Sequence, residues 1–181
     1  IMSNQFEVHT IESAPQKSKA LLQQALDAFG MVPNFHAVIA ESPEALEAYM
    51  KLHELFLQSS LSTTEKHVVW ITINVENACH YCTPAHAMLA KMDEVDDAIV
   101  SAIRNKTEIP DQKLEALRVF TQKIVQQRGN VDDNTLGDFY AAGYSKQNVL
   151  EVLLCLSQKI LSNYSNHITH TPLDEPFQSY A

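Results

Sequence analysis

Apolar residues recur along this chain at three- and four-residue spacings, the period of helices with one buried face. Leu21, Leu22, Ala25 and Leu26 carry that spacing in a first helix, opened by Ser13 and Pro15 and ended by Gly30. Met31-Val32-Pro33 leads into a short helix with Phe35, Val38 and Ile39. Ser42-Pro43-Glu44, an N-cap followed by proline, starts a third helix with Leu46, Tyr49, Met50, His53 and Phe56. The run Val68-Val69-Trp70-Ile71-Thr72-Ile73-Asn74-Val75 is rich in β-branched residues and would suit a buried strand on propensity alone. The capping-box pattern Ser62-Thr63-Thr64-Glu65 precedes it and no segment offers a strand partner, so a buried helix is predicted, ending near Glu76-Asn77. The next helix reaches about Met92, and Asp93-Glu94-Val95-Asp96 starts another with Ala98, Ile99, Ala102 and Ile103. A long helix follows from Pro110 to Arg128, then a short one around Leu136, Phe139 and Tyr140, closed by Gly143. Ser145 caps the last helix, whose Val149, Leu153, Leu156 and Ile160 occupy more than one face and predict a central position. From about Thr171-Pro172 the tail reads as irregular. The pattern predicts one all-α domain over residues 1–181, with about eight or nine helices.

Composition narrows the function classes. A chain of 181 residues fits one domain with a real core, and four glycines suit helices better than a turn-rich β architecture. Thirteen basic against 22 acidic residues give a net charge of -9, which argues against nucleic acid or an anionic membrane surface as partner. No apolar run reaches transmembrane length and no signal-peptide pattern opens the chain. Ile1 ahead of Met2 reads as a leftover of how the chain was produced. Three cysteines do not make a secreted disulfide framework, so a cytoplasmic protein is expected.

The chemistry concentrates in Glu76-Asn77-Ala78-Cys79-His80-Tyr81-Cys82-Thr83-Pro84-Ala85-His86. Residues three and four apart share a helix face, which groups Cys79, Cys82 and His86. Pro84 belongs in the first turn of a helix, so the helix is predicted to begin between Tyr81 and Thr83. Cys82 then lies among unpaired N–H groups at the positive end of the helix dipole. An ordinary thiol is only a few per cent ionised at neutral pH; ionising roughly nine tenths of it requires about 3.4 kcal/mol of differential stabilisation. The helix terminus and His86, one turn on, are two sources of that energy. Cys82 is the candidate nucleophile and Cys79 its resolving partner. A zinc site built from Cys79, Cys82 and His86, with Glu76, His80 or His67 as fourth ligand, remains an alternative. Cys155 reads as a small core residue, and His36 and His53 as structural histidines. Asn163, Asn166, His167 and His170 read as a C-terminal cap and its hydrogen bonds.

The stretch Leu61–His86, a capped apolar helix followed by E-N-x-C-x-Y-C-x-x-x-H, resembles the carboxymuconolactone decarboxylase superfamily on its alkylhydroperoxidase D-like, peroxidase-related side. Residues Phe29–Phe35, the Ser42-Pro43 start, Gly143-Tyr144 through His167, and Thr171–Asp174 extend the resemblance over most of the chain. It implies an all-α fold, assembly into trimers or hexamers, and a thiol-dependent peroxidase or disulfide reductase in antioxidant defence. The substrate would be a small hydroperoxide, and a dithiol or protein reductant would restore the enzyme. The implied cofactor is none beyond a redox-active Cys79–Cys82 disulfide: Cys82 attacks the peroxide oxygen, and Cys79 condenses with the sulfenic acid. Two departures disturb the implied proton relay: His67 stands where the family has a glutamate, and Tyr81 where it has a histidine. Glu76 is the expected replacement carboxylate, orienting His86 or a bridging water, ahead of Tyr81 and His67. Members that decarboxylate the lactone need no C-x-x-C, so the cysteine pair argues against that activity.

Overall fold

The buried run at 68–75 forms the middle of a helix around which the others pack. This is a computed structural model describing residues 5–181, so Ile1 and Met2 lie outside the described residues. Nine α-helices are found among the described residues: α1 Lys19–Phe29, α2 Asn34–Ile39, α3 Pro43–Leu57, α4 Thr63–Glu76, α5 Cys82–Met92, α6 Asp97–Arg104, α7 Gln112–Gln126, α8 Asp133–Ala141 and α9 Lys146–Thr169. Short 3-10 turns occupy Gln16–Ser18 and Glu175–Tyr180.

Helix α4 shows how packing outweighs propensity. Its start is the predicted capping box: Ser62 accepts from the Glu65 N–H at 3.2 Å, and the Glu65 carboxylate accepts from the Ser62 N–H at 2.8 Å. Val68, Val69, Ile71 and Ile73 are all fully buried. Burying such a side chain is worth about 1.5–3 kcal/mol, several times the ~0.5 kcal/mol a β-branched residue costs in a helix. Helices α5, α6, α7 and α9 surround α4. Serine or aspartate caps set five of the other starts: Ser42, Asp96, Asp111, Asp132 and Ser145 each accept a backbone N–H of the first turn.

Two apolar clusters result. One joins α4 with α6–α9 and includes stacked rings: Phe120 lies 4.0 Å from Phe139, and Phe139 lies 4.5 Å from Tyr144. The second joins α1–α3 with the start of α5 and Phe177. The C-x-x-C motif sits in the second cluster, against α4 and α9.

Two expectations need correction. The tail after residue 171, expected to be irregular, closes as a 3-10 turn on α5, with Pro176 in its first turn and Phe177 buried. Helix α9 is central, but only in part through the residues expected: Val149 and Leu156 pack against the core. Leu153 and Ile160 are 36% and 37% exposed, whereas Gln158, Lys159, Ser162, Asn163 and Asn166 are fully buried. An apolar count could not see this inversion because the inward face becomes polar halfway along the helix.

Candidate active site

Helix α4 ends in a turn that needs a left-handed residue and has alanine there. Ala78 adopts φ 51°; its N–H donates to the Val75 carbonyl at 3.1 Å, and the Cys79 N–H donates to the Asn74 carbonyl at 2.9 Å. That pair of bonds is the Schellman closure, and holding a non-glycine residue in it costs about 1–2 kcal/mol. The turn delivers Cys79 beneath the start of α5, where Tyr81 is the N-cap and Cys82 the first helical residue. The predicted helix start is therefore where the structure has it.

Around Cys82 the hydrogen bonds come mostly from α9. The Cys82 N–H donates to the Cys79 sulfur at 3.3 Å, and the Asn166 amide donates to the Cys82 sulfur at 3.3 Å. The Cys82 thiol lies 3.7 Å from the Ser162 hydroxyl. Asn74 donates to the Cys82 carbonyl at 3.2 Å and accepts from Asn163 at 2.9 Å, and Asn163 in turn accepts from Asn77 at 2.9 Å. These asparagines join α4, the motif and α9 into one buried polar network. Both sulfurs are reduced and buried.

The environment separates the two thiols. Burial pushes Cys82 up, but the Cys79 thiol, the Lys159 ammonium and the Ser162 hydroxyl together hold it well below the ordinary thiol range. Cys79 moves upward, chiefly through its hydrogen bond to the Cys82 sulfur and then through burial. The environment thus favours the anion on Cys82 and the thiol on Cys79, which suits a nucleophile and its resolving partner.

Lys159 is the residue that sequence reasoning missed. It is 0% exposed, and its ammonium donates to His86 Nε2 at 3.0 Å. With Nε2 accepting, His86 is the neutral tautomer carrying its proton on Nδ1, a buried atom with no hydrogen-bond partner. Burial and then the Lys159 charge hold His86 well below the ordinary histidine range. The hydrogen-bond partner of the His86 Nε2 atom, expected to take the thiol proton or pair with the thiolate, is thus the Lys159 ammonium. A signal was present: a lysine between Leu156 and Ile160, one turn after Cys155 and one before Asn163, in a helix predicted to be central.

The side chains of the remaining candidates hydrogen-bond groups other than the sulfurs. Glu76 accepts from Gln122 at 3.0 Å and Gln126 at 2.8 Å, with Lys106 at 3.6 Å, so it anchors α7 rather than orienting His86. Two residues after Asn74 it stands about 200° around α4 from the face that meets Cys82. His67 bonds Asp93 at 2.7 Å and meets the site only through Trp70, whose ring lies 5.3 Å from His67 and 5.1 Å from His86. The Tyr81 hydroxyl accepts from the Phe35 N–H at 3.2 Å and donates to Asp174. Burial, then the Asp174 carboxylate, push that phenol up, so it acts as a strut and cavity wall. His80 meets the Thr171 carbonyl at 3.1 Å. Among the described residues no three His, Cys, Asp or Glu side chains converge as metal ligands, so the zinc alternative lacks its ligand set. Asn163 and Asn166, read as cap residues, belong to the buried network, whereas His170 does close α9 in the left-handed conformation.

A cavity of about 390 Å³ opens onto Cys82, His86 and Lys159. Its walls include Phe35, Tyr49, Met50, Met88, Phe177 and Ala25. Two further wall residues, His36 and His53, are lowered to about 3 and about 4, in each case chiefly by burial, so both are neutral at physiological pH. The volume suits an organic molecule.

Residues 43–122 match the model of the Carboxymuconolactone decarboxylase family. Solved structures share the fold. An uncharacterized peroxidase-related protein from Ralstonia eutropha JMP134, described as an alkylhydroperoxidase AhpD core, superposes with TM-score 0.84 at 18% identity, covering 96% of this chain and 93% of its own. A peroxidase-related protein from Silicibacter sp. TM1040 gives 0.78 at 14% identity, with both chains covered in full. A cysteine-to-alanine variant of the debrominase Bmp8, in complex with 2,3,4-tribromopyrrole, gives 0.76 at 13% identity over 91% of this chain and 89% of its own. No curated protein matches the sequence significantly. No described helix is long and apolar enough to cross a membrane.

Proposed function

We propose that this protein is a thiol-dependent reductase of organic hydroperoxides, with Cys82 as nucleophile and Cys79 as resolving thiol. One observation carries the reading: the cysteine that begins α5 donates its backbone N–H to the sulfur of a second cysteine, accepts an amide hydrogen bond from Asn166 at its own sulfur, and opens onto an aromatic cavity of organic-molecule size. The Cys82 thiolate attacks the terminal peroxide oxygen; the O–O bond breaks and Cys82 becomes a sulfenic acid. The Cys79 thiol then displaces the hydroxyl, giving a Cys79–Cys82 disulfide and water. A dithiol or protein reductant restores both thiols by exchange. That chemistry suits antioxidant defence in a cytoplasmic setting. Replacing Cys82 by Ser abolishes consumption of a ring-bearing hydroperoxide such as cumene hydroperoxide with a dithiol donor. Undiminished turnover in that variant would sink the reading.

A second substrate class has a specific support, since the debrominase of the same fold was captured with a brominated pyrrole. The same dithiol would then remove halide from an activated ring, and bromide release from 2,3,4-tribromopyrrole without hydroperoxide turnover would favour it. Assembly into trimers or hexamers is part of the proposal. Leu150, Leu153, Ile160, Tyr164 and Ile168 form an exposed apolar row on α9 that a second copy would cover. Light scattering at the mass of one chain would contradict that part.

A further inference from the structure

Lys159 is buried among groups that cannot balance its charge, with one exception. Cys82 and His86 face it from α5, Cys79 from the turn before α5, where its thiol is pushed upward, Tyr49 and His53 from α3, His36 from α2, and Cys155 from its own helix. None of these is a carboxylate, and among the described residues no ion pair reaches it. An isolated ammonium in such a place costs several kcal/mol, and a buried lysine ordinarily sheds its proton. Tyr49 and Cys155 are pushed upward, chiefly by burial, and remain neutral. The anion left to pair with Lys159 is the Cys82 thiolate. Both residues line the same cavity, which places the two side chains beside one bound substrate.

We infer that Lys159 is the acid of this site: its ammonium holds Cys82 as thiolate in the resting state and then protonates the oxygen that leaves the substrate. The inference rests on the hydroperoxide reading above. As the thiolate takes the terminal oxygen, the bonding pair of the O–O bond departs with the inner oxygen as an alkoxide. Its proton comes from Lys159 Nζ, so the alcohol leaves neutral and Lys159 becomes a neutral amine just as the thiolate that balanced it is lost. His86 Nε2, 3.0 Å away, fixes the direction of the ammonium as a positioning residue. When a dithiol later reduces the disulfide, the proton returns to Lys159 and the ion pair is restored. No buried charge is left without a partner at any stage.

The test uses the full chain in reduced form, with two variants. In the wild type, the rate of Cys82 alkylation by iodoacetamide, followed by mass spectrometry across pH, has its midpoint well below that of an ordinary thiol; an ordinary midpoint overturns the inference without any substitution. Lys159→Met, unbranched and of similar length, moves that midpoint upward and slows alkylation at neutral pH tenfold or more. Lys159→Arg keeps a cation that does not release its proton, so it holds the midpoint low. Proton donation is read from two ring-bearing substrates, cumene hydroperoxide and perbenzoic acid, the second of which expels a carboxylate that needs no proton. The ratio of their kcat/KM values falls tenfold or more in both variants; an unchanged ratio refutes the acid role. Alkylation requires no peroxide. A wild-type protein with a low midpoint but no hydroperoxide turnover would therefore end the functional reading while leaving the ion pair standing.

Discussion

The two halves of α9 present one continuous stripe to the interior and fill it with opposite chemistry. Val152 and Cys155 lie in an apolar cluster, where the stacked rings of Phe120, Phe139 and Tyr144 are neighbours. Lys159, Ser162, Asn163 and Asn166 continue the stripe, equally buried, yet each is a donor or an acceptor. The first half holds the helix in place by area; the second trades area for a field at one sulfur. A stripe that stayed apolar would leave Cys82 an ordinary buried thiol, like Cys155, whose ionisation burial opposes.

Disturbing each half separately sharpens that contrast. The largest loss of stability is expected in the apolar cluster that receives the first half: Phe139→Ala, on α8, costs about 3–5 kcal/mol in chemical denaturation. The same variant leaves the pH midpoint of Cys82 alkylation where it was. In the polar half, Asn163→Leu strands the amides of Asn74 and Asn77 and costs about 1–3 kcal/mol. Asn166→Leu removes a direct donor to the sulfur and moves the alkylation midpoint upward. A Phe139 change that moved the thiol midpoint as far as Asn166→Leu does would erase the distinction between the halves.

A smaller effect concerns pH. His36 and His53 are lowered from 6.5 to about 3 and about 4, so as pH falls the unfolded chain binds their protons first. Their contribution is complete above about pH 6.5 and is lost progressively toward pH 3, at about 1.4 kcal/mol per pH unit for each histidine. Urea midpoints measured from pH 7 to pH 4 should show this slope, and His36→Leu should flatten it. The smallest change expected is a gain. Ala78→Gly removes the cost of a left-handed alanine, offset in part by the freer unfolded chain, and stabilises by about 0.5–1 kcal/mol.

Much of the fold was legible because helix ends are local chemistry. The capping box at Ser62, the Ser42-Pro43 start and the Ser145 cap lie where the sequence pattern has them. Gly30 and Gly143 mark ends by their positive φ, but Ala78, Glu94, Lys106 and Arg128 do the same work without glycine, which is why so few glycines suffice. The motif and the start of α5 were legible for the same local reason. The support around the sulfur was not. Glu76 was favoured because it is close along the chain, yet its angle around α4 turns it toward α7. Lys159 and Asn166 lie about eighty positions from Cys82, and only tertiary packing brings them to it. A charged residue flanked by leucine and isoleucine looks like a solvated face until the opposite face of the helix is known to be the exposed one.

The segment after α9 touches the chemistry through Tyr81, Asn34 and the wall formed by Phe177. During synthesis the cysteines leave the ribosome roughly eighty residues before α9 is complete, several seconds at ordinary elongation rates. Over that interval Cys82 has neither its ammonium nor its amide donor, and the chamber lacks a side. Nascent chains therefore carry an unawakened thiol, and reactivity arrives only with the folded molecule that can direct it.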